Sequence, residues 1–74
     1  MYLNYGPSVI FGDKNETHTV ANCESTETAV IAAAMLNKAY RLNYNRKYTA
    51  SARIHAAVRE LPGLHWCGNH ETTD

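Results

Sequence analysis

"CESTETAVIAAAMLNKAYRLNYN", residues 23–45, decides the fold, because nearly every residue from Ala29 to Leu42 favours a helix. Ser25 is a candidate N-cap, and Glu27 in the first turn suits the positive end of the helix dipole. The apolar residues form two neighbouring stripes: Val30, Ala33, Leu36 (or Asn37) and Tyr40 in one, and Ile31, Ala32, Met35, Ala39 and Leu42 in the other. So wide an apolar surface predicts a central helix that is contacted on more than one side.

Two β-prone segments precede this helix and predict a hairpin. "SVIFG" (8–12) and "THTVANC" (17–23) flank the turn-prone stretch "DKNE". Strand alternation places Val9 and Phe11 on one face of the first strand. In the second strand it puts His18 and Val20 on one face, and Thr17, Thr19 and Ala21 on the other. Gly6-Pro7 leaves residues 1–7 as an irregular lead-in or a short edge strand.

A second amphipathic helix is predicted within "YTASARIHAAVRELPG", residues 48–63. Thr49 or Ser51 could cap it, and Leu61-Pro62-Gly63 should end it. Its apolar stripe consists of Ala50, Ile54, Ala57, Val58 and Leu61. "LHWCG" (64–68) could then add a third strand, and "NHETTD" reads as a polar tail.

These elements predict one α+β domain over residues 1–74, a β-hairpin with an optional third C-terminal strand packed on two α-helices. The expected core is Val9, Phe11, Val20, Ile31, Met35, Leu36, Ile54, Val58, Leu61 and Trp66. Truncating a buried Trp66 should cost about 3–5 kcal/mol, enough to unfold so small a domain.

The chain carries no sign of export or of membrane insertion. No apolar run approaches the roughly 18 residues that span a bilayer, and "MYLNYGPSVIFG" has no basic region before a long apolar one. We therefore expect a cytoplasmic protein, with Cys23 and Cys67 as free thiols.

Charge is segregated although the formal net charge is zero. Residues 1–37 hold four acids and one lysine, residues 38–59 hold six cations and no acid, and residues 60–74 hold three acids. A neutral chain with a basic middle can still present a basic face.

The C-terminal cluster of His65, Cys67 and His70 raises the question of metal binding, with His18 and Cys23 as a second pair. The spacing matches no paired zinc-ligand motif, so the favoured interpretation puts Trp66 in the core, with His65 and Cys67 pointing the other way. A cysteine–histidine catalytic set, completed by Glu71 or Asp74, would need a substrate pocket that so short a chain hardly affords. We predict no catalytic residues, no metal and no cofactor.

"AYRLNYNRKYTASAR", residues 39–53, is the most informative candidate site, since a tyrosine recurs every four residues among basic side chains. Tyrosine and arginine are typical of protein-binding hot spots, and the same mixture can stack bases and hold phosphates. The rival interpretation buries the rings of Tyr40 and Tyr44 and leaves the cations solvated. The predicted partner-binding residues are Tyr40, Arg41, Tyr44, Arg46, Lys47, Tyr48, Arg53 and Arg59, with the hairpin tip at Asp13, Lys14 and Glu16 as second choice.

Residues 20–40, "VANCESTETAVIAAAMLNKAY", resemble a segment of small bacteriophage and prophage accessory proteins, in which a hairpin leads into a capped helix. The matching positions are Val20, Asn22-Cys23, Ser25, Ala29, Ile31, Ala32 and Leu36-Asn37. The resemblance brings no catalytic residues with it. It implies a host-takeover or anti-defence factor, such as an anti-CRISPR protein, acting in the host cytosol.

We therefore expect a non-enzymatic protein that binds and inhibits or modulates a host protein or ribonucleoprotein complex, without a membrane partner. The alternative is a small nucleic-acid-binding regulator that uses the same tyrosine- and arginine-rich surface. The sequence leaves a homodimer open.

Overall fold

The computed structural model describes residues 1–12 and 16–67 of the chain. Within these ranges the elements are β1 (Tyr2–Tyr5), β2 (Ser8–Gly12), β3 (Thr17–Cys23), α1 (Thr26–Tyr44), α2 (Tyr48–Arg59) and β4 (Leu64–Trp66). The predicted α+β class is confirmed, as is the optional C-terminal strand, which is β4.

The strands form one antiparallel sheet in the order β1-β2-β3-β4. Residues 2–5 are therefore an edge strand, not an irregular lead-in. A two-residue turn, Gly6-Pro7, joins β1 to β2, and Gly6 there has a φ of +58°, which a residue with a Cβ adopts only at a cost.

The predicted alternation of β3 is wrong at its buried end. Val9 pairs with Ala21, whereas Ile10 pairs with Thr19, so Val20 is an extra residue opposite β2. A β-bulge of this kind lets consecutive side chains avoid strict alternation. Val20 and Ala21 are both fully buried as a result, although the sequence placed them on opposite faces.

Helix α1 begins as predicted, with the Ser25 hydroxyl accepting a hydrogen bond from the backbone N–H of Thr28 at 3.2 Å. The helix contacts β1, β2 and β3 and also packs against α2, so it is central. Its buried residues are Ala29, Ala32, Ala33, Leu36 and Ala39. The predicted core position of Ile31 is wrong, because this side chain is 45% exposed.

The start of α2 differs from the prediction. Lys47 is the N-cap and provides no side-chain hydrogen bond, so neither Thr49 nor Ser51 caps the helix. Ser51 is instead buried, and Ala50 and Ala57 of the predicted stripe are exposed. The predicted end is confirmed, because α2 finishes at Arg59 and its C-cap, Glu60, directly precedes Leu61-Pro62-Gly63.

All of the predicted core residues except Ile31 belong to the observed core or pack against it. Val9, Val20, Leu36 and Val58 are fully buried. Partly buried residues of the predicted set that pack against them are Phe11, Met35, Ile54, Leu61 and Trp66. Tyr2, which the sequence analysis left out, is 8% exposed and belongs to the core.

Asn37 ties α1 to the edge of the sheet. Its Oδ1 accepts a hydrogen bond from the Tyr2 N–H at 2.6 Å, and its Nδ2 donates to the Tyr2 carbonyl at 2.8 Å. These two backbone groups point away from β2, because Met1 and Gly12 make the adjacent ladder hydrogen bonds. The side chain therefore takes the place that a further strand would occupy beside β1.

Candidate partner-binding surface

The last two turns of α1 form a groove. Tyr40, Arg41, Tyr44 and Asn45 line a shallow, open concavity of about 410 Å³ whose accessible walls are almost wholly apolar. The lining residues are spaced by four, 40 with 44 and 41 with 45, so they are neighbours on one side of the helix. The helix periodicity alone thus brings two aromatic rings, one guanidinium and one amide together.

Tyr40 is held in place by aromatic contacts with the sheet. Its ring centroid lies 6.1 Å from that of Phe11, which in turn contacts Tyr2 edge-to-face at 4.9 Å. Burial raises the pKa of the Tyr2 phenol above its usual value, and the nearby Tyr40 phenol raises that pKa further. Tyr40 thus has one side against the core aromatics and the other in the groove, with 52% of its surface exposed.

Tyr44 and Tyr48 do not pack into the core. They are 83% and 64% exposed, so Tyr44 is not packed against the core as the rival interpretation expects. The exposed cations agree with that interpretation, and Tyr40 agrees with it in part. Such exposed aromatic side chains contribute little to folding, yet they offer large, rigid contact areas to a partner.

The turn between the helices holds Arg46 in an unusual backbone conformation. The N–H of Lys47 bonds to the Leu42 carbonyl at 2.7 Å, and the N–H of Arg46 bonds to the Asn43 carbonyl at 2.9 Å. This pair of hydrogen bonds defines a Schellman motif, in which the residue at the position of Arg46 is left-handed and usually glycine. Arg46 has a φ of +63°, and among the described residues every other positive φ belongs to a glycine. The conformation costs an L-residue about 1–2 kcal/mol.

The basic charge of this surface lies in the last turn of α1 and in the turn that joins α1 to α2. Arg41, Arg46 and Lys47 are all exposed, and their own segment, residues 38–59, contains no acid. Glu27 lies in the first turn of α1, roughly 25 Å away at 1.5 Å per residue, well beyond the Debye length of about 8 Å at physiological salt.

The eight predicted residues do not form one patch. Arg53 and Arg59 are exposed on α2, but Arg59 lies about 16 Å along the helix axis from Tyr48 at the usual helical rise. The candidate partner-binding surface is therefore residues 40–48, and Arg53 is the nearer of the two α2 arginines to it.

The hairpin, the second-choice site, leads to the same end of the molecule. The Phe11 ring contacts both the Tyr40 ring and the His18 ring, and the ring centroids of Phe11 and His18 are 5.8 Å apart. Glu16, two residues before His18, is exposed there and brings an acid to the sheet side of the surface. Asp13 and Lys14 lie outside the described residues.

The histidines and cysteines are spread over the sheet. His18 and Cys23 lie about 16 Å apart along β3 at 3.3 Å per residue. Cys67 accepts a hydrogen bond from the Asn22 side-chain amide at 3.3 Å, and both cysteines are free thiols. Within residues 1–12 and 16–67 no three His, Cys, Asp or Glu side chains are grouped as a metal site, and His70, Glu71 and Asp74 lie outside these ranges.

The sequence did not predict two features of this surface, namely Asn45 as a lining residue of the groove and the left-handed backbone of Arg46. Asn45 is the C-cap of α1 as well as a wall of the groove. The available signal was its position four residues after Arg41, at the point where the apolar stripe of the helix ends. The left-handed turn carried no signal, because the glycine that usually marks it is absent.

No helix among the described residues is long and apolar enough to cross a membrane. Comparison with protein-family models, with curated proteins and with solved structures finds no match for the chain.

Proposed function

We propose that this chain is a non-enzymatic accessory protein of the bacteriophage type, which binds a host protein or ribonucleoprotein complex and inhibits or modulates it. Anti-CRISPR and other anti-defence inhibitors are examples of such a role, which would be carried out in the host cytosol. The host setting rests on the resemblance of residues 20–40 to phage accessory proteins. The binding mode rests on the surface at residues 40–48.

One observation carries the binding mode: three tyrosines stand exposed beside cations in a segment that lacks acids. Their exposed fractions are 52%, 83% and 64% for Tyr40, Tyr44 and Tyr48. Leaving these rings in water brings no folding energy, whereas burying one of them at an interface contributes on the order of 1–3 kcal/mol. The groove between Tyr40 and Tyr44 adds a concave place for an anchoring side chain of the partner.

The groove also favours recognition over catalysis. Its lining residues are two tyrosines, an arginine and an asparagine, their accessible surface there is almost wholly apolar, and no carboxylate, imidazole or thiol lines it. Proton transfer and nucleophilic attack depend mostly on those absent groups, whereas binding depends on the groups that are present.

The test is capture of a partner from bacterial lysate by the tagged protein, with and without nuclease, followed by mass spectrometry. We expect a stoichiometric protein or ribonucleoprotein that the Tyr44→Ala variant no longer captures. Tyr5→Ala is the matched control, since Tyr5 is 79% exposed on β1, outside the groove lining. If both variants capture the same proteins as the parent, the surface at residues 40–48 is not the binding site and the proposal fails.

A nucleic-acid-binding regulator is the second candidate, because the same tyrosines could stack on bases while Arg41, Arg46 and Lys47 contact phosphates. The salt response separates the two candidates. Each phosphate contact makes the logarithm of the affinity fall by roughly 0.7–0.9 per unit of log salt, whereas a hot-spot protein interface responds much less. Retention of nucleic acid alone, lost on nuclease treatment, would replace the first candidate by the second.

A further inference from the structure

The turn at Arg46 requires a left-handed residue, but it does not require that this residue be an arginine. In the other positive-φ positions of the described chain, Gly6 and Gly63, the residue is glycine, and at Gly63 an added Cβ would lie 2.9 Å from the Glu24 side chain. The chain thus places glycine where the backbone turns left-handed, except at residue 46. The Arg46 side chain is exposed, so burial does not explain the exception.

The position of Arg46 relative to the groove supplies an explanation. It follows Asn45, which lines the groove, and precedes Lys47 and Tyr48 at the start of α2. Arg46 directly follows the C-cap of α1, and its side chain is exposed. Strained non-glycine residues of this kind cluster at functional sites, where the side chain is needed.

We infer that Arg46 is the principal partner-binding cation of this surface, kept in a left-handed turn to pair with a carboxylate of an acidic protein segment. An aromatic or long apolar side chain of that segment occupies the groove beside Tyr44. The inference rests on the proposed function and deepens it by stating the chemistry of the partner.

Charge complementarity selects an acidic protein segment as the occupant. The cations Arg41, Arg46 and Lys47 face no acid of their own segment, and a guanidinium binds a carboxylate in a planar, two-point manner. A long polyphosphate chain suits the surface less well, because Glu16 borders it on the sheet side and the net charge is zero. A short acidic segment with one anchor needs only the groove and the adjacent cations.

The test compares Arg46→Gly, Arg46→Lys and a Lys38→Ala control in the full chain. The probe is a fluorescein-labelled, glutamate-rich random copolymer of glutamate and tyrosine, and binding is measured by fluorescence anisotropy. Urea denaturation of each variant gives its midpoint. Lys38 is an exposed cation of α1 that does not line the groove, so it controls for net charge.

We expect Arg46→Gly to unfold at the same or a higher urea midpoint than the parent and to bind the copolymer about tenfold more weakly. Arg46→Lys should lose less, and Lys38→Ala should change affinity by less than about twofold. Unchanged binding by Arg46→Gly overturns the inference, as does a lowered midpoint, since the side chain would then stabilise the turn. An equal loss in Lys38→Ala also overturns it, because net charge alone would explain binding.

Two further outcomes separate this inference from the proposed function. If an oligothymidylate binds the parent as tightly as the copolymer, the acidic protein segment is the wrong occupant. If Tyr44→Ala abolishes capture from lysate while Arg46→Gly captures as the parent does, the proposed function stands and the role of Arg46 falls.

Discussion

Replacing Asn37 by alanine removes the two hydrogen bonds that hold α1 to the edge strand. Both are short, 2.6 Å from the Tyr2 N–H to Oδ1 and 2.8 Å from Nδ2 to the Tyr2 carbonyl, and both are partly buried. A net contribution of about 1 kcal/mol each gives roughly 2 kcal/mol. Alanine regains about 0.5 kcal/mol of helix propensity, but incomplete hydration of the freed backbone groups costs a similar amount.

We therefore expect Asn37→Ala to lower the free energy of unfolding by about 2 kcal/mol. For a domain of this size, 1 kcal/mol shifts the melting temperature by roughly 4–8 °C, so the expected fall is about 8–16 °C. The assay is thermal unfolding followed by circular dichroism, with urea unfolding followed by Trp66 fluorescence as a second probe. Agreement of the two probes would support two-state behaviour.

Asn4→Ala is the matched control, because Asn4 lies on the same edge strand and makes one long, exposed hydrogen bond to the Gly6 carbonyl at 3.4 Å. Its loss should cost less than about 0.5 kcal/mol. A melting temperature of Asn37→Ala within about 2 °C of the parent would refute the reasoning. So would an equal effect of the two substitutions, since any asparagine at this edge would then do the same.

Two further predictions concern single hydroxyl groups. Ser51 is 1% exposed, and its hydroxyl has no hydrogen-bond partner within the described residues. Ser51→Ala should therefore raise the free energy of unfolding by about 1 kcal/mol. A lower melting temperature of the variant would show that the hydroxyl does have a hydrogen-bond partner. The pKa of Tyr2 is raised by burial and then by Tyr40, so its folded pKa lies above the unfolded one. The associated stability is present below the ordinary pKa of about 10 and is lost as pH rises through the folded pKa. Tyr2→Phe should thus lose less melting temperature between pH ~8 and pH ~11 than the parent, and equal losses would contradict the assignment.

The sequence predicted those parts of the fold that depend on local chemistry. The Ser25 cap, the α1 helix itself and the end of α2 ahead of Leu61-Pro62-Gly63 follow from residues adjacent in the chain, and all are confirmed. Ile31 shows the limit of such reasoning. An apolar arc on a helix does not state how much of it neighbouring elements will cover, and here that side chain stays 45% exposed.

The errors elsewhere arise from contacts between distant residues. The β-bulge that buries both Val20 and Ala21 depends on the register with β2, and no pattern within β3 announces it. Tyr2 enters the core because Asn37, 35 residues later, holds its backbone. At the candidate site the tyrosine spacing selected Tyr40 and Tyr44, which line the groove, whereas the left-handed conformation of Arg46 depends on how the turn between the helices closes.

The core contains few large side chains, so the conformational cost of the turn at Arg46 is large relative to the stability of the domain. Four of the five buried residues of α1 are alanines, which allow close packing but bury little apolar area each. Stability then depends on a few larger side chains such as Leu36 and on ties such as Asn37. A domain of 74 residues has a margin of about 4–11 kcal/mol, so the 1–2 kcal/mol that Arg46 gives up is a considerable part of it. Glycine at position 46 would recover much of this energy, so an arginine there agrees with the binding role proposed for its side chain.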